Sequence, residues 1–143
     1  MDELKHIGRE VNILSHKIKR RIDNVASAYG ITAGQAKIIR YIYAKSFNTD
    51  VFQKDIEEEF DIRRSSVSSV LNLMEKNDLI KRIAVKEDAR LRKIILTDKA
   101  IELHKSIYSE IEKVESVFSE ELSSEELELF SSMIKRLIKK IGE

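Results

Sequence analysis

The chain has 143 residues, enough for one domain or two small lobes. It has no proline, four glycines, 36% charged residues and a net charge of +1, a composition that favours long helices over a sandwich or barrel. The absence of cysteine removes disulfides, cysteine metal sites and thiol redox sensing, and no apolar run is long enough to span a bilayer.

Met1-Asp2-Glu3-Leu4 does not open a signal peptide, so the chain is expected in the cytoplasm with no membrane partner. Ile7, Val11, Leu14, Ile18, Ile22, Val25 and Tyr29 then step at threes and fours, which predicts one amphipathic helix over residues 3–29. Gly30 suits its C-terminus. A helix this long has too little of its own domain to cover it, so part of its stripe is expected to pack on another subunit. Thr32-Ala33-Gly34-Gln35 has capping-box spacing and opens a second helix that buries Ile38, Ile39 and Ile42. Lys45 to Asp50 reads as a polar loop, and Val51-Phe52 as a short strand.

Residues 53–97 are the centre of the chain. Ile56 and Phe60 share one face of a short helix. Val67, Val70, Leu71 and Met74 give the next helix an apolar face, while Arg64, Ser65, Ser68, Ser69 and Asn72 occupy the opposite one. A solvated helix face ordinarily carries Glu and Lys. Short hydroxyls behind an arginine let another backbone approach closely, and a helix N-terminus favours phosphate. Capping alone would need one serine, and four of the residues 65–69 are serine. Two β-branched runs follow, Arg82-Ile83-Ala84-Val85 and Lys93-Ile94-Ile95-Leu96, around the charged tip Lys86 to Arg92. They predict a basic hairpin.

Thr97 is expected to cap a long helix reaching about Glu121, with a stripe through Ala100, Leu103 or His104, Ile107, Ile111, Val114 and Phe118. Ser123-Ser124-Glu125-Glu126 opens a last helix to about Ile141, with basic residues at its end that suit the dipole.

The positive charge is confined. Residues 63–97 hold nine Lys/Arg against four Asp/Glu, net +5, while residues 1–62 are neutral and residues 98–143 carry −4. That is the footprint of a nucleic-acid site. The expected fold is mainly α with a small β-hairpin wing: a winged helix-turn-helix over residues 32–97, flanked by dimerisation helices over 1–31 and 98–143.

The sequence resembles the MarR family of transcriptional regulators. The resemblance rests on Thr32-x-x-Gln35-x-x-Ile38, Gln53-Lys54-x-Ile56, Ser65-Ser66-Val67-Ser68, Met74-Glu75-Lys76-x-x-Leu79-Ile80-x-Arg82, Asp88-x-Arg90 and Leu96-Thr97-Asp98. The chain departs from the family pattern at three sites: Phe52 and Arg63 stand where helix caps are common, and the pair Asn77-Asp78 replaces Lys-Gly. The resemblance implies a homodimer with intertwined terminal helices. Such a dimer would set two recognition helices about 34 Å apart on a near-palindromic operator.

The residues expected on double-stranded DNA are Arg64, Ser65, Ser66, Ser68, Ser69 and Asn72 in the major groove. Arg64 and Asn72 can make the bidentate contacts that carry base information, and the serines suit phosphate. Arg90 takes the wing-tip position of the family's Asp-x-Arg motif, which reaches towards a minor groove. Arg92 and Lys93 would hold the backbone. Asp88 is expected to orient neighbouring arginines, since DNA would repel its carboxylate.

The expected function is a sequence-specific regulator acting as a repressor, without cofactor, although the sequence itself does not distinguish repression from activation. Many members of the family release DNA when a small molecule binds between the dimer helices and the winged lobe. Tyr29, Arg40, Tyr43 and the histidines lie near those elements, but packing or exposure accounts for each equally, and the effector is unknown. The alternatives are a metal-responsive regulator and a dimeric protein-binding adaptor. His6 and His16 are ten apart on one helix and His104 is remote, which disfavours a metal site. An enzyme is not expected: there is no Gly-rich phosphate loop, Gly-x-Ser-x-Gly or His-Glu-x-x-His.

Overall fold

A computed structural model describes residues 6–142 of the chain. Among them the order is α1 (Ile7–Ser27), α2 (Ala33–Lys45), α3 (Gln53–Phe60), α4 (Arg64–Lys76), β1 (Ile80–Ala84), β2 (Arg92–Leu96), α5 (Asp98–Glu115), α6 (Val117–Glu121) and α7 (Ser124–Ile141). The expected helix start at residue 3 and the reading of residues 1–4 lie outside the described residues. No described helix is long and apolar enough to cross a membrane.

Local chemistry sets most of the boundaries. At the end of α1, Gly30 turns left-handed with φ 79°. The Ile31 N–H then reaches the Ala26 carbonyl and the Gly30 N–H that of Ser27, which is the paired bonding of a Schellman stop. Thr32 starts α2 with a complete capping box, its hydroxyl accepting from the Gln35 N–H and its N–H donating to the Gln35 side chain. Asp23 of α1 accepts the next donor, the Ala33 N–H, at 2.9 Å. This cap also ties the two helices together.

The chain divides into two compact units, Met1–Tyr108 and Ser109–Glu143. The expected boundaries at 31/32 and 97/98 both fall inside the first. There α1 packs on α2, and His104 of α5 stacks on Tyr43 of α2 at 4.5 Å between ring centres. The core of this unit is aliphatic, with Ile39, Ile42, Ile56, Leu71 and Met74 at 1% exposure or less. Each such burial stabilises the fold by about 1.5–3 kcal/mol. Only the later part of α1 is covered: Ile22 and Ala26 are buried, whereas Ile7, Val11 and Leu14 are 41–56% exposed. In the second unit, α7 begins with a capping box between Ser123 and Glu126 and buries no residue at all.

Three expectations need correction. The long helix after Thr97 breaks at Ser116, whose hydroxyl donates to the Lys113 carbonyl at 2.8 Å. Back-bonding of this kind competes with the helix ladder and can bend a helix. Val51-Phe52 forms no strand. Among the described residues the sheet has only β1 and β2, and Val51 contributes one bond, its carbonyl accepting from the Ile94 N–H at 2.7 Å. The hairpin also begins two residues early, because Ile80 is buried and pairs with Leu96.

Candidate nucleic-acid interface

α3 and α4 are joined by Asp61-Ile62-Arg63. Asp61 is left-handed at φ 51°, and the Ile62 N–H returns to the Glu57 carbonyl. α4 buries Val67, Leu71 and Met74, so its other side must face outward. No side chain caps the start of α4, where Arg63 stands. The positive end of its dipole is therefore uncompensated by the protein. At α3 the corresponding Phe52 cannot accept a hydrogen bond. Asp55 supplies half a capping box by accepting the Phe52 N–H at 2.8 Å.

Between α3, the start of α4 and the wing lies a cleft of about 440 Å³. Lys54, Arg64, Arg82, Arg90 and Arg92 line it, with Glu57 as the one carboxylate. Five cations around one concavity focus a positive potential. The structure thus brings Arg64 together with Arg90 and Arg92, 26 and 28 residues later, and the hairpin register Arg82↔Ile94 and Ala84↔Arg92 sets Arg82 and Arg92 on adjoining strands.

The other expected residues are placed as follows. Ser65 and Ser66 are exposed, and Ser69 donates to the Ser65 carbonyl at 3.1 Å. Ser68 is half-buried on the α3 seam, where its hydroxyl accepts from Gln53 at 2.8 Å. Asn72 is exposed, and its Oδ1 accepts from Arg82 Nη2 at 2.8 Å. Arg92 donates to the Arg82 carbonyl at 3.1 Å. Lys93 does not line the cleft. It sits 3.8 Å from Asp50, because neighbouring strand residues point to opposite faces.

At the wing tip, Asp88 accepts from both the backbone N–H and Nε of Arg90, at 2.9 and 3.2 Å. The backbone bond first, and the guanidinium bond second, hold the Asp88 carboxyl below its ordinary value. The Arg90 side chain is otherwise 92% exposed.

Gln53, Lys54 and Arg82 were missed as site residues. The signal for all three was present in Gln53-Lys54 and in Leu79-Ile80-x-Arg82, but only the packing of the hairpin against α4 shows that they converge. Away from the cleft, His104 stacks between Tyr43 and Tyr108, and Arg40 lies 5.3 Å from the Tyr108 ring centre. Tyr29 donates to the Ser106 carbonyl at 3.4 Å. Among the described residues no three His, Asp or Glu come together as a metal site.

The MarR family model matches residues 29–91. No curated protein matches the chain. Among solved structures, the transcription regulator MarR from Oenococcus oeni PSU-1 is 32% identical, with 93% of this chain and 98% of that one covered and a TM-score of 0.82. The Staphylococcus aureus MepR–DNA complex is 24% identical over 94% and 96%, with a TM-score of 0.87. A mutant MarR from Escherichia coli complexed with operator DNA is 15% identical over 96% of each chain, with a TM-score of 0.82. These last two are likenesses of fold.

Proposed function

The chain belongs to the MarR family of transcription regulators, and from that premise we propose that it binds double-stranded DNA sequence-specifically as a homodimer and represses transcription. The observation that carries this reading is the cleft into which Lys54, Arg64, Arg90 and Arg92 bring their charge beside the uncapped start of α4. Phosphate neutralisation by such a cluster gives affinity, and the outward face of α4 gives sequence information. The solved relatives bound to DNA have the same fold.

The dimer reading rests on two uncovered apolar faces. The first half of α1 exposes Ile7, Val11 and Leu14, and α7 exposes Leu129, Met133, Leu137 and Ile138. A second copy covering them gives two-fold symmetry and hence a near-palindromic operator. In this reading the protein is a cytoplasmic regulator and not an enzyme, and a small molecule that favours one spacing of the two recognition helices releases the DNA.

The test is fluorescence anisotropy of the purified protein with DNA from upstream of its own gene and with random DNA, at two salt concentrations. Tight, salt-sensitive binding that prefers the upstream fragment supports the reading. If a randomised duplex library also yields no preferred sequence, sequence-specific binding is ruled out.

A further inference from the structure

Arg82 lies on β1, and its side chain is only 17% exposed. Two contacts hold its side chain and one its backbone. Nη2 donates to Asn72 Oδ1 at 2.8 Å, Nε lies 4.0 Å from Glu75, and its own carbonyl accepts from Arg92 at 3.1 Å. Asn72 and Glu75 are three apart on α4, so they share the helix face that meets the strand. Arg64 is exposed and the Arg90 side chain is 92% exposed, whereas this arginine is built into the protein.

The consequence falls on Asn72. A side-chain amide has two flip states, and in isolation either end can face a base. A guanidinium has donors and no acceptor. Only Oδ1 can face Arg82; the flipped state would set N–H against N–H. The Nδ2 donors are therefore directed away from Arg82, along the exposed side of α4. The orientation that an asparagine normally adopts only on binding is fixed in advance, which reduces the ordering cost of the contact.

We infer that Arg82 is a positioning residue that sets the base preference of Asn72, making it a donor to an acceptor on the base edge and excluding cytosine at one position of the operator. This rests on the DNA-binding reading above. In the major groove purines present an acceptor at N7 and thymine one at O4, whereas cytosine presents only its N4 donor, so a fixed donor rejects cytosine. Arg82 itself touches no base.

The experiment selects preferred sequences from a randomised duplex library with wild-type protein, then measures each single-base-pair variant of the best sequence with wild type, Asn72→Asp, Arg82→Met and Arg82→Lys. Asn72→Asp keeps the acceptor for Arg82 and removes the donors, so it tests the idea without disturbing the arginine's packing. It is expected to lose the discrimination against cytosine at one position, roughly tenfold for a contact of this kind. Arg82→Met is expected to relax that same position, and Arg82→Lys, which still donates to Oδ1, to restore it. Combining Asn72→Asp with Arg82→Met should relax it no further than Asn72→Asp alone.

A structural or phosphate-binding role for Arg82 would instead weaken binding evenly at all positions. A sequence profile unchanged in Arg82→Met overturns the inference and leaves DNA binding standing. So does an unchanged profile in Asn72→Asp, which remains readable if Arg82→Met fails to fold. If wild type selects no sequence, the DNA-binding reading itself falls and takes the inference with it.

Discussion

The Thr97 hydroxyl donates to the carbonyl of Asp78 at 2.7 Å and accepts from the Ala100 N–H at 3.2 Å. One buried side chain thus closes the end of α4 and opens α5, across the full length of the hairpin. Replacing it with valine keeps the shape but leaves a carbonyl and a helix N–H without partners. Thr97→Val is expected to lower stability by about 1–2 kcal/mol, read from urea denaturation at one fixed protein concentration. A change under about 0.5 kcal/mol would show that water replaces both bonds.

Asp78 is itself constrained. It is left-handed at φ 61°, with the Leu79 N–H bonded to the Met74 carbonyl behind it. Glycine adopts this conformation without a Cβ clash, while a β-branched residue resists it. Asp78→Gly should raise stability by about 0.5–1 kcal/mol, and Asp78→Val should lower it by about 1–2 kcal/mol. Equal melting temperatures for the two variants would show that the backbone relaxes out of the left-handed region.

The features that were legible in the sequence are those whose partners lie within a few residues. Thr32 and Gln35, Ser123 and Glu126, Gly30, and Asn77-Asp78 all work within one turn of chain, and each forms the cap or stop that its spacing suggests. The apolar faces of α3 and α4 were legible for the same reason. The illegible features depend on distant residues. Ser68 has the spacing of an outward residue, yet Gln53, 15 residues earlier, draws its hydroxyl to the seam. Arg82 looks like one more basic residue of the wing until the strand lays it beside Asn72. Val51 has strand composition, but among the described residues its backbone makes a single bond to the hairpin, at Ile94.

The Asp88–Arg90 contact separates charge from placement at the wing. Arg90→Ala removes one phosphate-neutralising charge, so the slope of log affinity against log salt should flatten by about one unit, evenly across sequences. Equal slopes would remove Arg90 from the DNA contacts. The Asp88 carboxyl is held below its ordinary value of 3.8 by its bonds to Arg90. Whatever it contributes to stability is present above that pH and lost as pH falls through its lower folded value. Between pH 5 and 8 the contact is intact, so any change of DNA affinity over that range has another source.

His104 provides a pH dependence of stability. It is buried between Tyr43 and Tyr108. Burial first, and the nearby positive charge of Arg40 second, push its pKa below the ordinary 6.5. As pH falls below about 6.5 the unfolded chain takes up a proton that the folded chain refuses, and linkage then favours unfolding. The loss grows until pH reaches the lowered folded value and then levels off. His104→Phe keeps a ring on Tyr43 and cannot titrate. Urea midpoints at pH 7.5 and 5.5 should differ less in this variant than in wild type, and an equal difference would place the titration elsewhere.

The last prediction concerns α7. No residue of this helix is buried, and Leu137 and Ile138 are 52% and 61% exposed, with Lys135, Arg136, Lys139 and Lys140 around them. An apolar stripe of this extent is costly in water, and a second copy is the partner that the proposed two-fold operator requires. Leu137→Asp places a charge in that stripe and should shift the protein from dimer towards monomer in sedimentation velocity. The folded winged module is expected to survive, as read from its circular dichroism. DNA affinity should fall with dimer content, because a monomer engages one half-site. A variant that stays dimeric and binds DNA as wild type does would move the subunit contact off α7.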